Sequence, residues 1–494
     1  MRAAPLLATA TFLVARQLPA QDFLLRLDAR VQSVAYRGIQ LDSVLATAVV
    51  PGANGGLETT DGYAVDCPPG ATHCQFYRAG AAQRGGPMVT SADLTAWGFG
   101  VRGLSLHANG RLGLDLGNAD VWPGTNPAVQ LFEGYLEYTN AWLTGRAGRQ
   151  TERGRLGYTG FDGGMVTLRD GNHGLSGMVY TGFGLARGTA LPVTSPALNP
   201  LDEFQPRQRQ LVAGGEARWQ THRLDTRLEY QREVDRDTRN FVSERVALSA
   251  TLRPAMGWRL DAGSEYDIAR GEFGTSDIEL RYGRTSWSAA AGMRRYRPYF
   301  DLWTIWGAFS PVAYTAAQGS VRASPSRWLD LHAEGERYWY DASGAEAPLQ
   351  VTEDAGWRWN SGVGVTPATG WYFAANYRAE FGPGASSRGW DASASWQPLP
   401  VLSLSAEGGH LSRPLEFRFS DSRLDWFGGQ VDLKAGDRLR CSASAIRYIE
   451  DRDRPDAGAF SWNQTRFTAG ISWLLGSGAD QIPLPPAIRR GGDK

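Results

Sequence analysis

"FLLRLDARVQSVAY", residues 23–36, decides the fold. Leu25, Leu27, Ala29 and Val31 take the odd positions, with Arg26, Asp28, Arg30 and Gln32 between them. Successive side chains of a strand point to opposite faces, so this stretch reads as a strand with one apolar and one charged face. In a soluble sandwich the charged face meets water outside the protein. In a membrane barrel it meets water inside.

The pattern recurs. Residues 223–231 place Leu224, Thr226, Leu228 and Tyr230 on one face, and Asp225, Arg227, Glu229 and Gln231 on the other. Residues 258–268 alternate Trp258, Leu260, Ala262, Tyr266 and Ile268 with Arg259, Asp261, Glu265 and Asp267. Residues 276–283, 328–336, 371–381, 390–397 and 466–475 do the same. No stretch shows a comparable 3.6-residue period, and no apolar run is long enough for a transmembrane helix.

The connections carry a second signal. Short turns fall near 103, 140, 170–172, 221–222, 254–257, 284–285, 324–326, 367–369, 398–400 and 435–436. Longer stretches rich in Pro, Gly and charge separate them: 38–92, 118–127, 187–206, 297–312, 341–355, 412–422 and 450–461. Alternating short and long connections are the asymmetry of an outer-membrane barrel, with tight periplasmic turns and larger outer loops. The count comes to about 22 strands, within a range of about 18–26. The expected fold is therefore all-β, a transmembrane antiparallel up-and-down barrel. A sandwich of about seven to nine strands does not extend to so many with one continuous pattern.

Trp97, Trp219, Trp258, Trp287, Trp328, Trp371, Trp390 and Trp473 fall near expected strand ends. Amphipathic rings prefer the membrane interface, and repetition at strand ends reads as a girdle. Composition agrees. The 494 residues hold 51 basic and 51 acidic side chains, so nothing favours nucleic acid as a partner.

Arg2 followed by the apolar residues 5–15 and a small residue at Ala20 reads as an export signal, residues 1–20. The barrel is expected over 21–475, with a Gly- and Pro-rich periplasmic tail at 476–494. Export leads to an oxidising compartment, so Cys67 and Cys74, which bracket a turn-rich loop, read as a disulfide. Cys441, in an alternating strand, reads as a packed thiol. The long connection 38–92 is the natural segment to fold inward as a constriction or over the pore as a lid.

Residues 142–184 read "WLTGRAGRQTERGRLGYTGFDGGMVTLRDGNHGLSGMVYTGFG". Gly148-Arg149-Gln150 and Phe161-Asp162-Gly163 resemble motifs of the alginate-export and related large-porin families. There, Gly-Arg-Gln ends a strand, a Gly-rich loop follows, and Phe-Asp-Gly opens the next strand. The resemblance implies an export or diffusion barrel. It does not imply alginate as the solute.

The candidate pore lining is the charged face of the strands: Arg26, Asp28, Arg30, Glu133, Glu137, Arg146, Asp225, Arg227, Glu229, Arg259, Asp261, Glu265, Asp277, Glu279, Arg281, Asp330, His332, Glu334, Arg378 and Glu380. Charges around a bore set ion preference, though each also reads as a salt-bridged residue of a wet wall. Acids outnumber Arg in this set, but Arg149, Arg153 and Arg155 can reverse that balance. The six His are scattered and match no nucleophile constellation, so neither an enzyme nor a cofactor is expected. No plug domain precedes the barrel in this reading, which disfavours an energised receptor. The expected function is a channel for ions or small hydrophilic solutes, embedded in outer-membrane lipid of a Gram-negative-type bacterium. The alternative is a scaffold barrel sheathing a periplasmic protein partner such as a multihaem cytochrome.

Overall fold

The computed structural model describes residues 22–36, 39–52, 56–117, 128–185, 210–235, 239, 241–297, 313–341, 355–382, 385–412, 422–452 and 463–477. Residues 1–20 and most of the tail 476–494 lie outside them. Twenty-two antiparallel strands close into one barrel. The first strand, Asp22–Tyr36, pairs on one side with Pro87–Trp97 and on the other with the last, Gln464–Gly476. Every strand between pairs with its sequence neighbours. Closure matters in lipid, where each unpaired backbone group costs several kcal/mol and an open edge would expose a whole row of them.

At one end of the barrel the connections are all short: 98–103, 140–142, 171–174, 221–223, 253–257, 284–286, 327–328, 366–370, 400–401 and 436–438. The other end carries 37–86, 116–128, 185–210, 235–240, 297–313, 341–354, 413–421 and 453–463. Three tight connections also lie at that end, 155–156, 268–271 and 383–384. The turns expected at 324–326 and 398–400 fall slightly later. Pro325 and Pro398 belong to strands, each at a register shift where the ladder is interrupted and a missing N–H is tolerated.

One face of the wall is apolar throughout. Leu248, Ile278, Met293, Val321, Phe427 and Ile471 each leave half or more of their surface bare, as a lipid-facing band requires. Trp142, Trp219, Trp258, Trp287, Trp328, Trp371, Trp396 and Trp473 mark the turn end of this face. Trp371 and Trp396 stack at 5.1 Å, and Tyr282 bridges Trp258 and Trp287 at 4.8 and 5.4 Å. Trp390, expected at a strand end, lies within Ala385–Leu399, opposite Tyr377. It belongs to the loop-side half with Trp339, Trp357 and Trp359.

Much of the first connection is β-structure. Its next strand begins at Pro87, inside the stretch read as loop. Val34–Tyr36 pair with Gln83–Gly85, and Ile39–Leu45 with His73–Ala79. The first hairpin thus runs on as a ribbon past Ser33, its last pair with the closing strand. Ile39–Leu45 and His73–Ala79 form a two-stranded sheet of their own, separate from the barrel sheet. Cys67 and Cys74 are joined in it, with Cys74 fully buried, and Tyr63 packs on Phe76 at 5.6 Å.

Candidate functional site

Strand alternation turns the second face inward, opposite the lipid-facing band. Arg26, Asp28, Glu137, Arg146, Asp225, Arg227, Glu229, Asp261, Asp277 and Glu279 all carry the inner parity. Many are held by neighbours on the wall. Arg26 meets Asp28 at 2.8 Å, Arg146 meets Glu137 at 2.5 Å, and Arg218 meets Asp225 at 2.6 Å. Arg259 pairs with Asp261 and Arg281 with Glu279, both at 2.7 Å. Glu133 takes a hydrogen bond from Thr151, and Asp330 one from Ser324 at 2.5 Å. Arg30, Glu334 and Arg378 enter no ion pair among the described residues.

The segment that enters the bore is the tip of the hairpin formed by Leu143–Gly154 and Gly157–Asp170. Pairing to the strand before it stops at Arg149, opposite Gly134. Pairing to the strand after it stops at Phe161, opposite Gly184. Beyond those points residues 151–160 form ladder pairs with each other, and Gly160 still accepts the Leu185 N–H at 2.8 Å. The tip then crosses the interior, passing over the two strands Leu175–Gly184 and Leu211–Gln220 to reach strands further round the wall. The bend begins at Gly148, whose φ of +132° disfavours any side chain. A Cβ there would also lie 2.3 Å from the Gly134 carbonyl oxygen.

Charged groups hold the tip in place. Glu229 accepts the backbone N–H groups of Arg155 and Leu156 at 3.1 and 3.3 Å. The Arg155 guanidinium donates to Asp277 and to the Thr275 carbonyl at 3.2 Å, and lies 3.9 Å from Glu265. Arg227 bridges Glu216 at 2.5 Å, Glu229 at 3.0 Å and Glu152 at 3.5 Å. It also donates to the Arg153 carbonyl. Thr159 donates to Gln231 at 3.2 Å. Gly154 is small by necessity, since a Cβ would sit 2.1 Å from a Glu229 oxygen. Below the tip, Phe161, Met165, Tyr180 and Val212 form an apolar cluster on the inner face. Leu156 and Thr159 share a narrow cleft with Met178 and Tyr180, so the hairpin covers surface that water would otherwise wet.

The resemblance motifs sit at the base of this hairpin, facing each other in register: Gly148 opposite Gly163, Arg149 opposite Asp162, Gln150 opposite Phe161. They lie within the strands instead of ending one and opening the next. Arg149 grips Asp162 through two bonds of 2.7 and 2.9 Å. The apparent Gly-rich loop between the motifs is itself β-hairpin.

A second concentration of polar groups lines a recess of about 690 Å³ in the wall. Three neighbouring strands, Leu329–Tyr340, Ala355–Val365 and Trp371–Gly382, present their inner side chains in rows. In one row Glu336, Arg358 and Glu380 stand in register. Arg358 binds Glu336 at 2.9 Å and Glu380 at 2.7 Å, and lies 4.6 Å above the Tyr338 ring. Arg294 adds a 2.6 Å contact to Glu336. The next row is Glu334, Asn360 and Arg378. The row after that holds His332, Gly362 and Asn376, with Asn376 donating to Asp391 at 2.8 Å.

Glu152, Glu216, Arg294, Glu336 and Arg358 were not among the sequence candidates, and Arg155 entered only as a loop residue able to shift the charge balance of the lining. Glu336 continues the two-residue series Asp330, His332, Glu334, and Arg358 lies between outward Trp357 and Trp359, so both were open to the same parity argument. Arg155 carried no such signal. Among the described residues no group of three or more His, Cys, Asp or Glu is placed to hold a metal ion.

The architecture is that of an outer-membrane β-barrel. Solved structures share its shape. The siderophore receptor PirA from Pseudomonas aeruginosa matches with a TM-score of 0.53 and 11% identity, over 91% of this chain and 80% of that one. The ferric enterobactin receptor PfeA from the same organism gives 0.52 and 12%, over 91% and 80%. The outer membrane protein OprD, also from Pseudomonas aeruginosa, covers 94% of this chain and 97% of its own at 11% identity, with a TM-score of 0.39. At identities this low the two receptors speak for fold alone. No family model and no curated protein matches the chain.

Proposed function

We propose that this protein is an outer-membrane channel for diffusion of ions or small hydrophilic solutes, its bore narrowed by residues 151–160. The observation that carries this reading is the inward hairpin. It is held across a charged, water-compatible face by Glu229, Asp277 and Arg227, and an interior sealed for strength alone would be filled with apolar side chains. The inner-face charges named from the sequence are the proposed lining, with Arg155 added at the narrowing. The alternative of a sheath around a periplasmic partner has no supporting observation. Single-channel recording of the folded barrel in a planar bilayer tests the proposal. Discrete ohmic steps are expected, and a folded, inserted barrel that passes no current would refute it.

A further inference from the structure

The two upper rows of the wall recess differ in one respect. In the row Glu336–Arg358–Glu380 the cation stands between two acids and satisfies both. In the row Glu334–Asn360–Arg378 an amide takes the central place, and the flanking acid and base are left without ion-pair partners among the described residues. Both side chains are exposed to the bore, and both line the recess with Asn360. The row beside them is tied together by Arg358, while these two charges remain uncommitted.

We propose that Glu334, Asn360 and Arg378 form a binding site for a small zwitterion of the α-amino acid type. The Arg378 guanidinium takes the solute carboxylate, Glu334 takes its ammonium group, and the Asn360 amide bonds to either. Two strand intervals, about 10 Å of backbone, separate Glu334 from Arg378, and their long side chains narrow the gap between the charged ends. A solute that carries its two opposite charges close together, as an α-amino acid does, meets both with short charge-assisted hydrogen bonds. An ω-amino acid with a longer chain must fold back on itself to do the same. A simple anion or cation engages only one end of the row. This inference deepens the channel reading and depends on it for transport, though not for binding.

Calorimetric titration of the folded barrel in detergent decides the matter without current. L-Alanine, acetate, methylammonium and 6-aminohexanoate serve as probes. Saturable binding of alanine is expected, weaker by roughly tenfold or more for each other probe. Glu334→Gln and Arg378→Gln should each weaken alanine binding by roughly tenfold. The double exchange Glu334→Arg with Arg378→Glu should restore much of it, which a mere folding defect would not allow. Equal binding of acetate and alanine, indifference to Glu334→Gln, or no saturable alanine binding would each overturn the proposal. Saturable alanine binding by a barrel that passes no current would uphold the site and refute the channel.

Discussion

The carboxylate of Glu229 takes the backbone N–H of Arg155 from 74 residues away, across two intervening strands of the wall. That contact fixes a hairpin tip that has left both of its wall neighbours. Removing the carboxylate strands two N–H groups and leaves Arg227 with one acid fewer. Glu229→Ala should loosen the tip locally by about 2–4 kcal/mol and leave the barrel closed. Hydrogen exchange over residues 151–160 should quicken, and single-channel conductance should rise. Unchanged exchange there would mean that the tip is held by other contacts.

Steric substitutions approach the same hairpin from either side. A Cβ at Gly154 would press on Glu229, and one at Gly263 would lie 2.0 Å from the Arg155 guanidinium. Gly154→Val and Gly263→Leu should therefore both displace the tip and raise conductance. Because one change is on the tip and the other on the wall, a shared phenotype points to their interface. Combining the two should add little beyond either alone, and full additivity in the recordings would argue against that shared cause.

Ser320 and Val321 are adjacent near the middle of Tyr314–Ser326 and belong to opposite faces. Val321→Arg places a cation in the bilayer and should destabilise the barrel by about 2–4 kcal/mol, whereas Ser320→Arg meets water and should cost far less. Reversible denaturant unfolding in lipid vesicles measures both. Equal losses would contradict the assignment of faces.

The Cys67–Cys74 bridge closes a short loop in the outer ribbon, away from the barrel pairs. Loss of such a bridge costs about 2–3 kcal/mol in the chain-entropy account, confined here to the ribbon. Reduction should expose residues 57–79 to protease while heat-modifiable gel mobility of the barrel stays the same. A barrel that unfolds on reduction would show that the ribbon is coupled to the wall.

The sequence was legible wherever one physical rule acts alone. Lipid on one side and water on the other imposes a two-residue period, and Leu25–Arg26 or Ile278–Glu279 report it directly. The same rule locates the strands and the short turns. It misplaces turns near Pro325 and Pro398, where a bulge lets a proline stay in the ladder. It is silent on the tip at 151–160, "TERGRLGYTG", because a hairpin inside the bore meets no lipid and so needs no apolar face. The bend at Gly148 depends on close approach to Gly134, a contact between strands that no local pattern encodes. For that reason the long first connection, conspicuous by length, was the expected constriction, and the two-residue connection 155–156 was overlooked.

Asp22–Tyr36 and Gln464–Gly476 share ten consecutive register pairs, from Leu24 with Gly476 to Ser33 with Phe467. The cylinder is thus sewn shut along a seam whose two edges are separated by nearly the full length of the polypeptide. Every other neighbouring pair in the wall can zip locally, but this one must wait for a long-distance encounter. Assembly therefore passes through a curled sheet with two unmatched borders, a form that must be shielded from other sheets until the seam meets.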